Sequence, residues 1–284
     1  MRDFLKQRRQ NLITLLMLAP GLAGFFGLFF YPMLVTVALS LRPEGQSSGW
    51  TIENYVNFLN DPHGRDVILL TFTIAISATA LSILFSIPLA LILREKFRGH
   101  RFFRLLMIIP RVVPGLIGAL GLMLLFGSRG WFNLFLIRFV PFIKGPIRVV
   151  HTLHGLIIFY LWLYFPFTCL TSLSALEALD PAVEEAAMVA GANRWQVLRH
   201  IVLPLIMPGV LAGSVLTFMA CFGAFSVPLL TGGNYRPLSV TIYKQIEVFI
   251  PARWSTASAI AVIMAALQVA FLSLYMRILR RPMA

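Results

Sequence analysis

Groups able to carry ionic chemistry are few in this 284-residue chain: 24 Lys or Arg, 11 Asp or Glu and 5 His. All eleven carboxylates (Asp3, Glu44, Glu53, Asp61, Asp66, Glu95, Glu177, Asp180, Glu184, Glu185 and Glu247) stand outside the long apolar runs. They are densest in Leu176-Glu177-Ala178-Leu179-Asp180-Pro181-Ala182-Val183-Glu184-Glu185-Ala186-Ala187-Met188-Val189-Ala190-Gly191-Ala192-Asn193-Arg194-Trp195. A helix of carboxylates and alanines can enter a partner's groove, where a partly buried carboxylate needs a cation. Catalysis has no comparable candidate. The phosphate-cradling loop is absent, and there is neither a Ser, His and Asp spacing nor a His and Glu metal pattern. The reading is therefore of a protein that is not an enzyme and holds no cofactor or metal. Cys169 and Cys221 lie inside apolar runs as packing residues, with no disulfide framework or zinc pair available.

The intramembrane ionisable candidate is Arg111, between Pro110 and Pro114. It could meet an anionic substrate or snorkel to headgroups. His151 and His154, near the start of another run, could line a path or be satisfied interfacial residues. A later run ends Phe222-Gly223-Ala224-Phe225-Ser226-Val227-Pro228, where Ser226 and Pro228 would free backbone groups at a cavity. Phe222, Phe225, Trp162 and Tyr164 could stack on a cation or simply fill space. These residues with Arg111 and Ser226 are the candidate translocation path.

The elements that must position these groups are membrane helices. With 58% apolar and 12% charged residues, the chain has more oily side chains than one soluble core could use. Six continuous runs, near 12–41, 67–93, 105–127, 150–174, 205–230 and 255–278, reach the roughly 20 residues that cross a hydrocarbon core. Continuity rather than alternation makes them helices, so the fold class is all-α and polytopic. The first run is too long for a cleavable signal core and reads as a retained helix. A net charge of +13 is gathered in short clusters between runs, with no basic face interleaved with aromatics, so lipid and not nucleic acid is the expected contact. Lys and Arg number fourteen in 1–11, 94–104, 175–204 and 277–284 against nine in the alternate loops, which places both termini in the cytoplasm. The chain reads as a single membrane domain, 1–284. Trp50 to Tyr55 predicts a short interfacial helix after a turn, and Trp131 to Phe142 is apolar but too short to span. The spacing Gly209 to Gly213 allows close helix approach.

Within the acidic string, Asp180 can cap a helix, Pro181 suits its first position and Gly191 can end it in the left-handed conformation. A helix is expected over about 181–190. Asn193 can cap a second one, in which Trp195, Leu198 and Ile201 share a face before Pro204 and Pro208 mark entry to the fifth span.

The spacing Glu185-Ala186-Ala187, three residues, Gly191, nine residues, Ile201-Val202-Leu203-Pro204 resembles the EAA-loop signature of binding-protein-dependent permeases in type I ATP-binding-cassette importers. The resemblance runs from roughly residue 60 to 280. It implies a permease of the bacterial inner membrane with two cytoplasmic ATPase subunits that carry the ATP and magnesium. It also implies a second, homologous permease and an extracytoplasmic solute-binding protein. The coupling loop would be about 177–204. Glu184, Glu185, Ala186, Ala187, Gly191 and Arg194 would be its coupling set, with Glu185 paired to a basic side chain of the ATPase. The stretch after Phe222, and Trp50 to Tyr55, are most similar to spermidine and putrescine permeases. Permeases for ferric iron, phosphonate and sulfate share that subgroup and stay open. A secondary carrier is disfavoured because no carboxylate sits at membrane depth.

Overall fold

The computed structural model describes residues 2–46, 48–95 and 97–279, with side chains from 14 to 277. Ser47 of the turn, and Lys96, Arg280 and Arg281 of the charge count, lie outside the described residues. So do the side chains of Arg2, Lys6, Arg8 and Arg9. Among the described residues there are helices and turns and no strand. The helices are α1 (Arg2–Phe25), α2 (Tyr31–Ser40), α3 (Glu53–Asn60), α4 (Pro62–Arg94), α5 (His100–Val112), α6 (Gly115–Phe126) and α7 (Trp131–Phe139). After them come α8 (Leu153–Glu177), α9 (Pro181–Val189), α10 (Arg194–Val197), α11 (Leu203–Phe222), α12 (Ser226–Thr231), α13 (Leu238–Glu247) and α14 (Trp254–Leu279). Six stretches are long and apolar enough to cross a membrane: Thr14–Ser40, Pro62–Arg94, Gly115–Phe139, Leu153–Glu177, Arg194–Phe222 and Trp254–Arg277; a turn at 127–130 divides the third, so that α7 is a separate short segment at its end.

Two runs differ from the sequence reading. The third is not one helix over 105–127. Val113 is extended (φ −71°, ψ 124°), so α5 stops there and α6 begins afresh. Pro114 offers no N–H and disfavours the helical conformation in the residue before it. The fifth, expected over 205–230, starts earlier and ends earlier. A π-helical turn, Leu198–Val202, carries α10 into α11 past Pro204, and the helix stops at Phe222. A π turn shifts the hydrogen-bond register, which lets a proline enter a continuous helix.

The chain divides into two compact units, residues 1–62 with 242–267 and residues 63–241 with 268–284. In the first, Tyr55 and Ser40 share a hydroxyl hydrogen bond, and the buried Asn54 amide donates to the carbonyls of Ser40 (3.0 Å) and Arg42 (2.8 Å). These bonds fix the short helix α3 against the end of α2. Glu44 accepts from the Thr256 N–H (2.8 Å) and hydroxyl (2.9 Å), placing a carboxylate at the positive end of α14.

The second unit is built on α8 against α11, the most extensive helix pair. Gly209 and Gly213 face Thr171 and Ala175: a Cβ on Gly209 would lie 2.5 Å from Ala175 Cβ, and one on Gly213 would lie 2.7 Å from Thr168 Cα. Backbones this close gain dispersion contact where lipid removes the hydrophobic drive between helices. A buried hydrogen bond between Thr168 and Thr217 (2.7 Å) crosses the same seam and contributes about 0.6 kcal/mol. Phe218, Phe222, Phe72 and Phe271 stack as a second core between α4, α11 and α14.

Candidate coupling site

At the end of α8 the local chemistry read from the sequence is present in detail. Asp180 Oδ1 accepts from the Ala182 N–H at 2.9 Å, and Pro181 follows as the first helical residue of α9. Gly191 is left-handed (φ 94°). Its N–H reaches Met188 O and the Ala192 N–H reaches Ala187 O, both at 3.0 Å, so two of the last carbonyls of α9 are satisfied by a Schellman closure. Asn193 then opens α10 with a capping box: its Oδ1 accepts from the Gln196 N–H (2.9 Å) and Gln196 Oε1 accepts from the Asn193 N–H (2.8 Å). The result is a rigid elbow held at both helix ends.

Its inner side seats Leu179, Ala187, Ala192 and Val197 on a core made by Ala90, Leu93, Met107, Leu173, Leu176 and Ile206. The small Ala187 lets α9 lie close to that core. Facing away are Glu185, Ala186 and Val189, the last 89% exposed. Trp195, read as sharing a face with Leu198 and Ile201, is 65% exposed, and Val197 and Val202 take the inward positions. The π turn rotates the face by adding a residue to the register.

The two adjacent glutamates have different fates. Glu184 is paired with Arg94 at the end of α4, while Glu185 is exposed. A second pair, Arg104 with Glu177 at 3.1 Å, ties α5 to the end of α8. Arg94, Glu95, Glu184, Met188 and Arg194 line a cavity of about 410 Å³ beside the elbow. Neither Arg94 nor Arg104 was singled out from the sequence, because each lies some 70 to 90 residues from its partner. With both side chains about a quarter exposed (23% each), the Arg94–Glu184 pair should couple by about 1 kcal/mol. A double-mutant cycle of Arg94→Gln and Glu184→Gln read by thermal unfolding measures this, and additive effects would show that the pair does not hold the elbow.

The six path candidates fall in three places. Arg111, exposed in the last turn of α5, holds its guanidinium carbon 3.8 Å above the Phe167 ring, and Phe167 stacks on Tyr164. Trp162 and Ser226 each rest on a glycine of α6, Gly118 and Gly115, with Phe225 half-buried at the break before α12. Phe222 is 1% exposed and enclosed by Phe72 and Phe218. His151 is in the left-handed region (φ 64°), its N–H donating to Thr231 O at 3.0 Å. Among the described residues no group of three or more His, Cys, Asp and Glu could hold a metal ion.

Six candidate spans with a capped acidic elbow between two of them point to a membrane transport component, and comparison with known proteins agrees. Residues 82–284 match the model of the binding-protein-dependent transport system inner membrane component family. The chain is 31% identical over 253 residues to the spermidine/putrescine transport system permease protein PotB of Haemophilus influenzae, covering 87% of each. It is 24% identical to the sulfate transport system permease protein CysW of a Synechocystis species, covering 88% of each. Its fold matches a chain of a bacterial transporter that imports the acidic polysaccharide alginate (TM-score 0.79, 20% identity, 99% of this chain and 100% of that one).

The chain belongs to the family of binding-protein-dependent transport system inner membrane components. It is a multi-pass permease subunit of an ATP-binding-cassette importer in the inner membrane; it is not an enzyme and carries no cofactor, ATP and magnesium belonging to the ATPase.

Proposed function

We propose that the chain imports a polyamine of the spermidine and putrescine kind by alternating access, with α9 as the element that receives ATPase closure. The observation that carries the coupling role is the contrast between the two glutamates. Glu184 is spent on Arg94, which fixes the elbow, and Glu185 stands exposed beside Ala186 on a small-sided helix, available to a cation of a partner. In this reading Gly191 sets the turn, Ala187 seats the helix, and Arg194 borders the cavity next to it. Both termini and the elbow lie in the cytoplasm, as the charge bias favours. One chain offers one elbow, so a dimer of ATPases calls for a second, homologous permease. An extracytoplasmic solute-binding protein delivers the solute.

The likeness to PotB supports the polyamine. No carboxylate lies in the middle of a span, so the path would hold an ammonium through carbonyls, hydroxyls and rings near Ser226, Phe225, Tyr164 and Trp162. A second reading, a sulfate-like or phosphonate-like anion, is favoured by Arg111 over Phe167 and by the likeness to CysW. Phe222, sealed in its ring cluster, acts on the path through packing. Proteoliposomes holding the assembled transporter and its binding protein should take up labelled spermidine only when ATP is enclosed with the ATPase. Uptake of sulfate but not spermidine would replace the first reading by the second.

A further inference from the structure

We infer that α7 and the basic loop behind it form an interfacial site for the headgroup of an anionic phospholipid. The inference rests on the chain being embedded in a membrane and not on the coupling role of α9.

The helix is fixed with an oily face outward. On its inner side Phe132 packs on Phe126 (ring centroids 4.8 Å), which packs on Phe159 (5.6 Å). Asn133, fully buried, donates to Gly127 O (2.9 Å) and Ile147 O (3.1 Å) and accepts from the Ile147 N–H (2.7 Å). Those bonds tie α7 to the end of α6 and to the following loop, so the helix cannot roll to hide its other side. That side presents Trp131, Phe135 and Phe139 at four-residue spacing, with Trp131 81% exposed. No other described element covers these rings, and the row is too apolar to be left to water.

The charge around this face has one sign. Arg129, Arg138, Lys144 and Arg148 are all exposed, and none is paired with a carboxylate among the described residues. Between Glu95 and Glu177 the sequence has no acidic residue at all. Arg148, Ser128 and His151 also line a cavity of about 570 Å³, walled on its apolar side by Met123 and Phe126. An arginine, an imidazole and a hydroxyl beside an apolar wall suit a phosphodiester with its acyl chains alongside. Aromatic rings at the acyl boundary with cations at headgroup depth are the arrangement that anchors interfacial helices to anionic lipid. The site lies before α8 and the elbow after it, and α8 is about 37 Å long, enough to separate them across a bilayer.

The test uses the full chain in phosphatidylcholine vesicles containing brominated phosphatidylglycerol or, at equal mole fraction, brominated phosphatidylcholine. The signal is the tryptophan quenching lost on Trp131→Phe. The expected result is that brominated phosphatidylglycerol quenches Trp131 several-fold more, and that R129Q, R138Q, K144Q and R148Q each weaken the preference and together abolish it. Quenching by brominated phosphatidylcholine that persists in the variants shows that they remain inserted. Equal quenching by the two lipids would overturn the headgroup site. Quenching by neither would mean that a protein surface covers α7. Loss of the preference on adding inorganic phosphate at matched ionic strength would mean that the cations take a free anion. Symmetric vesicles make the readout independent of orientation, so its failure leaves the coupling reading untouched.

Discussion

Replacing Glu185 by lysine should leave the chain inserted and folded but lower solute-stimulated ATP hydrolysis by at least about tenfold. Glu185 is exposed on α9 and bonds to nothing that holds the elbow, since Asp180, Gly191, Asn193 and the Arg94–Glu184 pair do that work. Folding therefore loses little. A docked carboxylate facing a cation is different: losing one member of a desolvated pair costs about 2–5 kcal/mol, and reversing its sign adds repulsion. Each 1.4 kcal/mol is a factor of ten. Measured in proteoliposomes with binding protein and solute, an unchanged rate in Glu185→Lys would remove the elbow from the coupling mechanism. Glu184→Lys is the contrast, because it should act through the elbow's geometry and be partly rescued by Arg94→Glu.

Gly213→Leu should prevent assembly of the bundle. A side chain there would meet Thr171 Oγ1, Thr168 Cα and the Phe167 carbonyl, and two of these are backbone atoms that cannot rotate away. α8 and α11 would have to part, breaking the Thr168–Thr217 bond and opening the ring cluster around Phe218. Overpacking a tight core typically costs 1–3 kcal/mol, and backbone against backbone places this change at or above the upper end, about 3 kcal/mol. Size-exclusion of the detergent-solubilised variant should show aggregate in place of the symmetric parent peak. A Gly213→Leu variant with the parent's peak and melting temperature would mean that the α8–α11 seam is looser than described. Gly191→Ala is a useful control, since open space surrounds that position and only its left-handed backbone resists.

What could be read from the sequence was what is local. The elbow was expected over about 181–190 and is found at Pro181–Val189, because Asp180, Pro181, Gly191 and Asn193 act on the backbone within four residues of themselves. The existence of six spans followed from length and apolarity alone. What was not readable depends on faces and distant partners. Pro114 splits the third run, yet the run's unbroken apolarity concealed the break. α11 is apolar all round, so nothing in its pattern could say that Phe222 points into a ring cluster and not toward a path. The partner of Glu184 lies ninety residues away, and pattern within a helix cannot reach it. The small-residue spacing at Gly209 and Gly213 was visible, but its specific role in seating α8 needed the neighbouring backbone.

If this permease works by docking its α9 elbow into a separate ATPase, the most direct test is to ask what is bound at that elbow. A photo-reactive amino acid at Ala186, exposed and beside Glu185, would be activated in native membranes and the cross-linked product purified and identified by mass spectrometry. The prediction is a single dominant adduct to a cytoplasmic ATP-binding subunit, with a yield that changes when ATP is added. An abundant, active protein that gives no ATPase adduct at this position, and that never co-purifies with one in mild detergent, would contradict it.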